Sequence, residues 1–139
     1  MIPLHPTTLP LAGTHLIEAS AGTGKTSTIA TLFLRLLLEE ALRVDQIVMV
    51  TYTEAATAEL RDRVRRRLQE AVLACALTPE HLAHDPVLQT VLERSPDRWA
   101  ARQRLYEALR NFDQAAIFTM HGWVWLFRND IELNEINIL

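Results

Sequence analysis

The sequence predicts an α/β domain, a parallel sheet flanked by helices, and three observations carry that prediction. Short apolar runs with β-branched residues at 15–19, 46–51 and 115–118 have the character of strands buried inside a parallel sheet. Stretches of helical periodicity, 25 to about 42 and 53 to about 76, separate them. Between the first strand and the first helix stands Ala19-Ser20-Ala21-Gly22-Thr23-Gly24-Lys25-Thr26. This is the pattern small-x-x-x-x-G-K-[ST] in a strand, loop, helix context, the mark of a phosphate loop.

The 14 residues before the first strand contain Pro3, Pro6, Pro10 and Gly13 and read as an irregular lead-in. In the loop, Gly22 and Gly24 allow backbone angles that let successive N–H groups point into one hollow. The following helix adds unsatisfied N–H groups and the positive end of its dipole. Lys25 is expected to reach the β- and γ-phosphates of ATP, and the Thr26 hydroxyl to ligate Mg²⁺. The bland alternative is a glycine turn with a surface lysine, which the strand–loop–helix context disfavours. Ala19 stands where the usual pattern has glycine, a small residue in place of a smaller one.

The first helix is apolar nearly all round (Ile29, Leu32, Phe33, Leu36, Leu37), so neighbours are expected to cover it. It leads to the second strand, 46–51, in a βαβ unit whose crossover is expected to be right-handed. Thr53 is placed to cap the next helix, with Glu54 in its first turn. A stripe of Ala56, Leu60, Val64, Leu68, Val72 and Cys75 gives that helix its inner face. Its other faces carry Arg61, Arg63, Arg65, Arg66 and Arg67, most simply a solvated surface.

Thr78-Pro79, Asp85-Pro86 and Ser95-Pro96 each put a capping residue before a proline at a first helical position. They predict a helical insertion at about 79–112, the last helix burying Trp99, Leu105, Tyr106, Leu109 and Phe112. Those aromatics read as core rather than as a base-stacking platform. The third strand, 115–118, is followed by a turn at 119–122 and a helix at 123–129.

With 139 residues the chain has the length of one domain, and 49% hydrophobic and 22% charged residues are ordinary for a soluble one. A net charge of -3 argues against binding nucleic acid by bulk charge, while a local basic face is compatible with it. The single cysteine, Cys75, lies on an apolar stripe and excludes an internal disulfide, as suits a reducing compartment. The N-terminus lacks a basic segment leading into an apolar one, and the apolar run 29–38 is short for a bilayer and contains Arg35. A cytoplasmic protein with no membrane partner is expected.

In an open parallel sheet, ligands bind at the carboxyl ends of strands. The turns Thr51-Tyr52-Thr53 and Thr119-Met120-His121-Gly122 should therefore share an edge with the phosphate loop. Hydroxyls, an exposed ring and helix N-termini there suit a phosphodiester chain. The plainer alternative makes Thr53 a helix cap and His121 a structural residue.

The loop Ala19–Thr26, the run Thr-Tyr-Thr-Glu-Ala-Ala-Thr-Ala-Glu-Leu-Arg-Asp-Arg-Val at 51–64 and Ile-Phe-Thr-Met-His-Gly at 117–122 resemble motifs I, Ia and Ib of the UvrD-like superfamily 1 helicases. Within them the wording of the loop, the lead-in Pro10-Leu11-Ala12-Gly13 and Thr-Glu-Ala-Ala-Thr-Ala-Glu-Leu are similar to the RecB-type chains, the beta chains of exodeoxyribonuclease V. The resemblance spans 10 to about 128 and implies a P-loop NTPase of RecA-like fold. It implies an ATP-dependent 3′-to-5′ DNA helicase and exonuclease subunit of a heterotrimeric complex that acts on DNA ends in double-strand break repair and recombination. Lys25 and Thr26 would then hold MgATP, and Thr51, Tyr52, Thr53, Thr119, His121 and Gly122 would line the path of single-stranded DNA.

Two features depart from that family. The first glutamine is Gln46, past the loop, so the adenine-reading glutamine motif has no candidate. Four apolar residues followed by Asp-Glu occur nowhere, and the run 131–139 does not match the family pattern. The expectation is the N-terminal part of the first motor domain (1A), residues 1–139, truncated before Walker B, with no complete catalytic set. The alternatives are a small-molecule P-loop phosphotransferase, which needs lid arginines, and a non-catalytic ATP-binding remnant, which the missing Walker B acid favours.

Overall fold

A computed structural model describes residues 5–13 and 25–119. The expected first strand at 15–19, loop residues 19–24, the turn from 120 to 122 and the helix at 123–129 lie outside the described residues.

Helix α1 (Lys25–Glu39) buries Ala30, Leu32, Phe33, Leu34, Leu36 and Leu37, covered nearly all round as its composition requires. It ends three residues before the expected Leu42. Ala41 takes a left-handed backbone (φ 56°), and the Leu42 N–H returns to the Leu36 carbonyl at 3.3 Å, which turns the chain out of the helix. Arg35 is buried on this helix (5% exposed). It donates to the Pro6 and Leu9 carbonyls at 3.0 and 2.6 Å and pairs with Glu39 at 2.6 Å, so the lead-in is tied to α1 through one guanidinium.

Strand β1 (Val48–Thr51) starts later than expected, because Gln46 belongs to a 3₁₀ turn, Val44–Gln46. The Gln46 side chain accepts from the Arg43 N–H at 2.9 Å, and that local bond outcompetes pairing in the sheet. Helix α2 (Glu54–Ala74) is capped as expected, the Thr53 hydroxyl accepting from the Ala56 N–H at 3.0 Å. Its inner face holds Leu60, Val64, Leu68, Ala71 and Val72.

The insertion comprises α3 (Pro79–Leu82), α4 (Pro86–Glu93) and α5 (Arg98–Arg110). Asp85 caps α4 by accepting from the Leu88 N–H at 3.1 Å. Ser95-Pro96 does not start α5: Asp97 accepts from the Ala100 N–H at 3.0 Å, while the Ser95 N–H closes the end of α4 on Leu92. Nor does α5 bury Trp99 or Tyr106. Its inner stripe is Leu105 between Ala101 and Ala108, whose small side chains let it pack against α2, and both aromatics face outward.

Phe112, just past α5, is buried and meets Phe33 edge to face with centroids 6.4 Å apart. Strand β2 (Ala116–Thr119) then pairs parallel with β1: Val48 with Ala116, Met49 with Ile117, Val50 with Phe118 and Thr51 with Thr119. Helices and a parallel pair share one apolar cluster, an α/β arrangement. No helix among the described residues is long and apolar enough to cross a membrane.

Candidate nucleotide and nucleic acid interface

Helix α1 is described from Lys25, and the first turn of that described length carries no acidic residue to offset the positive end of the helix dipole. Thr26 is half-buried in that turn. The other expected phosphate-binding residues, Ala19, Ser20, Ala21, Gly22, Thr23 and Gly24, lie outside the described residues. The helix end fits an anion and a hard metal ion held through a hydroxyl. Among the described residues, no three His, Cys, Asp or Glu side chains converge on a metal position.

The first turns of α1 form one wall of a cleft of about 290 Å³, with Thr26, Ser27, Thr28 and Thr31 facing Arg63, Arg66 and Arg67 of α2. Arg67 is structural. It grips both oxygens of Asp85 at 2.6 and 3.1 Å and also reaches Glu70 at 2.9 Å. That fork lowers the pKa of Asp85 against the opposing effect of partial burial. Burial lowers the pKa of Arg67, but Asp85 and then Glu70 raise it further than burial takes away.

The solvated reading of the arginine cluster therefore holds for only part of it. Arg63 is exposed, and Arg66 makes an exposed pair with Asp62 at 3.6 Å. Arg61 is half-buried and donates to the Ile117 carbonyl at 3.2 Å, binding α2 to β2. Arg65 lies over the Phe112 ring, 5.1 Å from its centroid. Cys75 is half-buried, and burial raises its pKa, an effect that Arg98 and Arg102 only partly offset. An unreactive thiol follows.

At the carboxyl edge of the sheet the parallel register sets Thr51 beside Thr119. The Thr51 and Thr57 hydroxyls share a hydrogen bond, and the Thr53 carbonyl lies 3.3 and 3.0 Å from them, accepting from whichever of the two does not donate to the other. With the Thr53 cap, these bonds make the turn rigid and leave Tyr52 at its tip, 77% exposed. A cleft of about 470 Å³ opens next to it between α2 and the end of β2, lined by Glu54, Thr57, Arg61, Arg65 and Thr119 among others. His121 and Gly122 lie outside the described residues. The network joining Thr51, Thr53 and Thr57 was not foreseen, although the spacing of the hydroxyls around a cap is a signal for it.

A family model described as UvrD/REP helicase N-terminal domain matches residues 4–135, further in both directions than the motifs alone reach. The chain is 47% identical over 128 residues to the RecBCD enzyme subunit RecB of Escherichia coli (strain K12), an alignment covering 86% of this chain and 11% of that protein. It is 46% identical over 134 residues to the RecB subunit of Haemophilus influenzae, with 88% and 11% covered. For Mycobacterium tuberculosis (strain H37Rv) RecB the identity is 43% over 115 residues, with 81% and 10% covered. The chain thus spans about a tenth of the length of these relatives.

Proposed function

The chain belongs to the UvrD/REP helicase N-terminal domain family, and on that premise we propose that it is the ATP-binding opening of a RecB-type DNA helicase and exonuclease subunit. The observation that carries the reading is the pairing of Thr51 with Thr119, which sets the first residues of two post-strand turns at one sheet edge. In this reading the phosphate loop that precedes α1 comes to that same edge, as the rule for parallel sheets expects. Nucleotide and single-stranded DNA then meet on one face, as an ATP-driven translocase requires.

In this reading the loop 19–24 and the start of α1 cradle the phosphates, Lys25 pairs with the β- and γ-oxygens, and the Thr26 hydroxyl takes the metal. When bound, MgATP supplies the phosphoryl group and neutralises charge around it. Tyr52 offers a ring to a base, while Thr119, His121 and Gly122 approach the sugar–phosphate chain. Thr51 and Thr53 hold the turn that presents Tyr52. In this reading the whole protein moves 3′ to 5′ on DNA in the cytoplasm. It works on DNA ends with the other subunits of a heterotrimeric complex in break repair and recombination. A phosphotransferase reading loses support because the arginines ride α2, several tied into the fold, and not a lid loop.

Residues 1–139 hold a nucleotide without turning it over. Rate enhancement comes from groups that bind the transition state better than the ground state. The sequence has no Asp-Glu after an apolar run and lacks the motifs that carry the water-orienting glutamine and the arginine finger, the latter alone worth about 10³–10⁵ in rate in related nucleotidases. A DNA-stimulated phosphate-release assay on residues 1–139 is expected to stay at background. Turnover that vanishes in Lys25→Ala would show a complete site and overturn the reading.

A further inference from the structure

We propose that Thr57 is a positioning residue for single-stranded DNA, its buried hydroxyl holding the turn that carries Tyr52. The inference deepens the reading of that turn given above and rests on it. Tyr52 stands between Thr51 and Thr53, so the backbone on either side sets the direction of its ring. Thr57, in the first turn of α2, reaches both flanks at once. The Thr57 and Thr51 hydroxyls share a hydrogen bond, and the Thr53 carbonyl lies 3.0 Å from the first and 3.3 Å from the second. That carbonyl also accepts from the Thr57 N–H at 3.0 Å. Thr57 is only 8% exposed, whereas Tyr52 is 77% exposed. A strand lying over the turn meets the ring, and Thr57 acts through the turn.

The helix itself has no need of a hydroxyl at this position. Thr53 already caps it through the Ala56 N–H, and Ala55, Ala56 and Ala58 around Thr57 are better helix formers. A β-branched residue gives up helix propensity here, and a buried hydroxyl is unfavourable unless it is bonded. Its bonds to the two flanks of Tyr52 account for both. Arg61, one turn further along α2, donates to the Ile117 carbonyl and seats the helix that carries Thr57 against β2. A turn held in this way loses less conformational freedom when a base stacks on Tyr52, so the hydroxyl strengthens binding without touching the strand.

The test measures binding of a fluorescent oligothymidylate to the protein carrying Thr57→Val, Thr57→Ser, Tyr52→Ala or the pair Thr57→Val/Tyr52→Ala. Thr57→Val keeps the shape but drops the hydroxyl and is expected to weaken binding about fivefold. Thr57→Ser keeps the hydroxyl and is expected to restore most of the affinity. In the Thr57→Val background, Tyr52→Ala is expected to cost several-fold less than in the wild type, because the ring is no longer held out. Val72→Ala, buried near the other end of α2, destabilises the same helix away from the turn and should bind as the wild type does. Wild-type affinity in Thr57→Val, no recovery in Thr57→Ser, or an equal cost of Tyr52→Ala in both backgrounds overturns the proposal and leaves the single-strand reading standing. A loss in Val72→Ala matching that in Thr57→Val does the same. Full affinity in Tyr52→Ala removes the single-strand reading of the turn, and the proposal with it.

Discussion

Thr51 and Thr119 are partners in the parallel β1–β2 pair, each the last residue of its strand. The turns that follow therefore begin side by side, although 68 positions separate them in the chain. Between them, the bond from Arg61 to the Ile117 carbonyl fixes α2 against β2, so the Thr51–Thr53 turn and the end of β2 are held as one unit.

That unit presents Tyr52 to solvent on a rigid turn. Tyr52→Ala is expected to lose about 1–3 kcal/mol of single-strand affinity, the value of one stacked base. Binding should strengthen as salt falls, since phosphate contacts release counterions. Titration of a labelled oligonucleotide at two salt concentrations checks both, and indifference to each would reduce the turn to a helix cap.

Arg35 is buried with its fork divided between Glu39 and two carbonyls of the lead-in. Arg35→Met leaves the two carbonyls without this donor and Glu39 with only the longer contact to Arg94, and should cost about 2–3 kcal/mol. Arg35→Lys should recover only part, because an ammonium cannot reproduce the planar fork. Urea denaturation measures this. Full stability in the lysine variant would mean that charge alone matters here.

Asp85 is held by Arg67 with its pKa below the ordinary carboxylate value. A depressed folded-state pKa contributes stability above the unfolded value and loses it as pH falls through the folded one. Asp85→Asn keeps an acceptor for the Leu88 N–H but drops the charge. The wild type should exceed this variant by about 1–3 kcal/mol at pH 7. The gap should narrow as pH falls below about 4. Denaturation midpoints of the two chains from neutral to acid pH give the curve, and a gap constant with pH would contradict the assigned role.

Sequence legibility followed the range of the interactions. The Thr53 cap and the Asp85 cap were readable because each closes within three residues. The strands were readable as apolar runs, though Gln46 was lost to a local turn. Phase was harder: Leu105 was legible as core, but nothing local says that α5 turns Ala101 and Ala108 inward with it and Trp99 outward, since only contact with α2 selects that face. The arginines divided in the same way. Arg67 finds Asp85 and Arg61 finds Ile117 across 18 and 56 positions, and a helical wheel cannot show either partner. Arg35, read only as a charge interrupting an apolar run, proved to be what holds the lead-in.

The central claim is that α1 and the loop before it form a nucleotide site, and calorimetric titration with MgADP or MgATP tests it most directly. The helix dipole and loop cradle are local features, so weak binding is expected from residues 1–139 alone. Lys25→Ala removes charge-assisted contacts worth about 1.5–3 kcal/mol each. Its affinity should fall roughly tenfold or more. Equal affinity in the wild type and in Lys25→Ala would contradict the assignment of the phosphate loop and the function built on it.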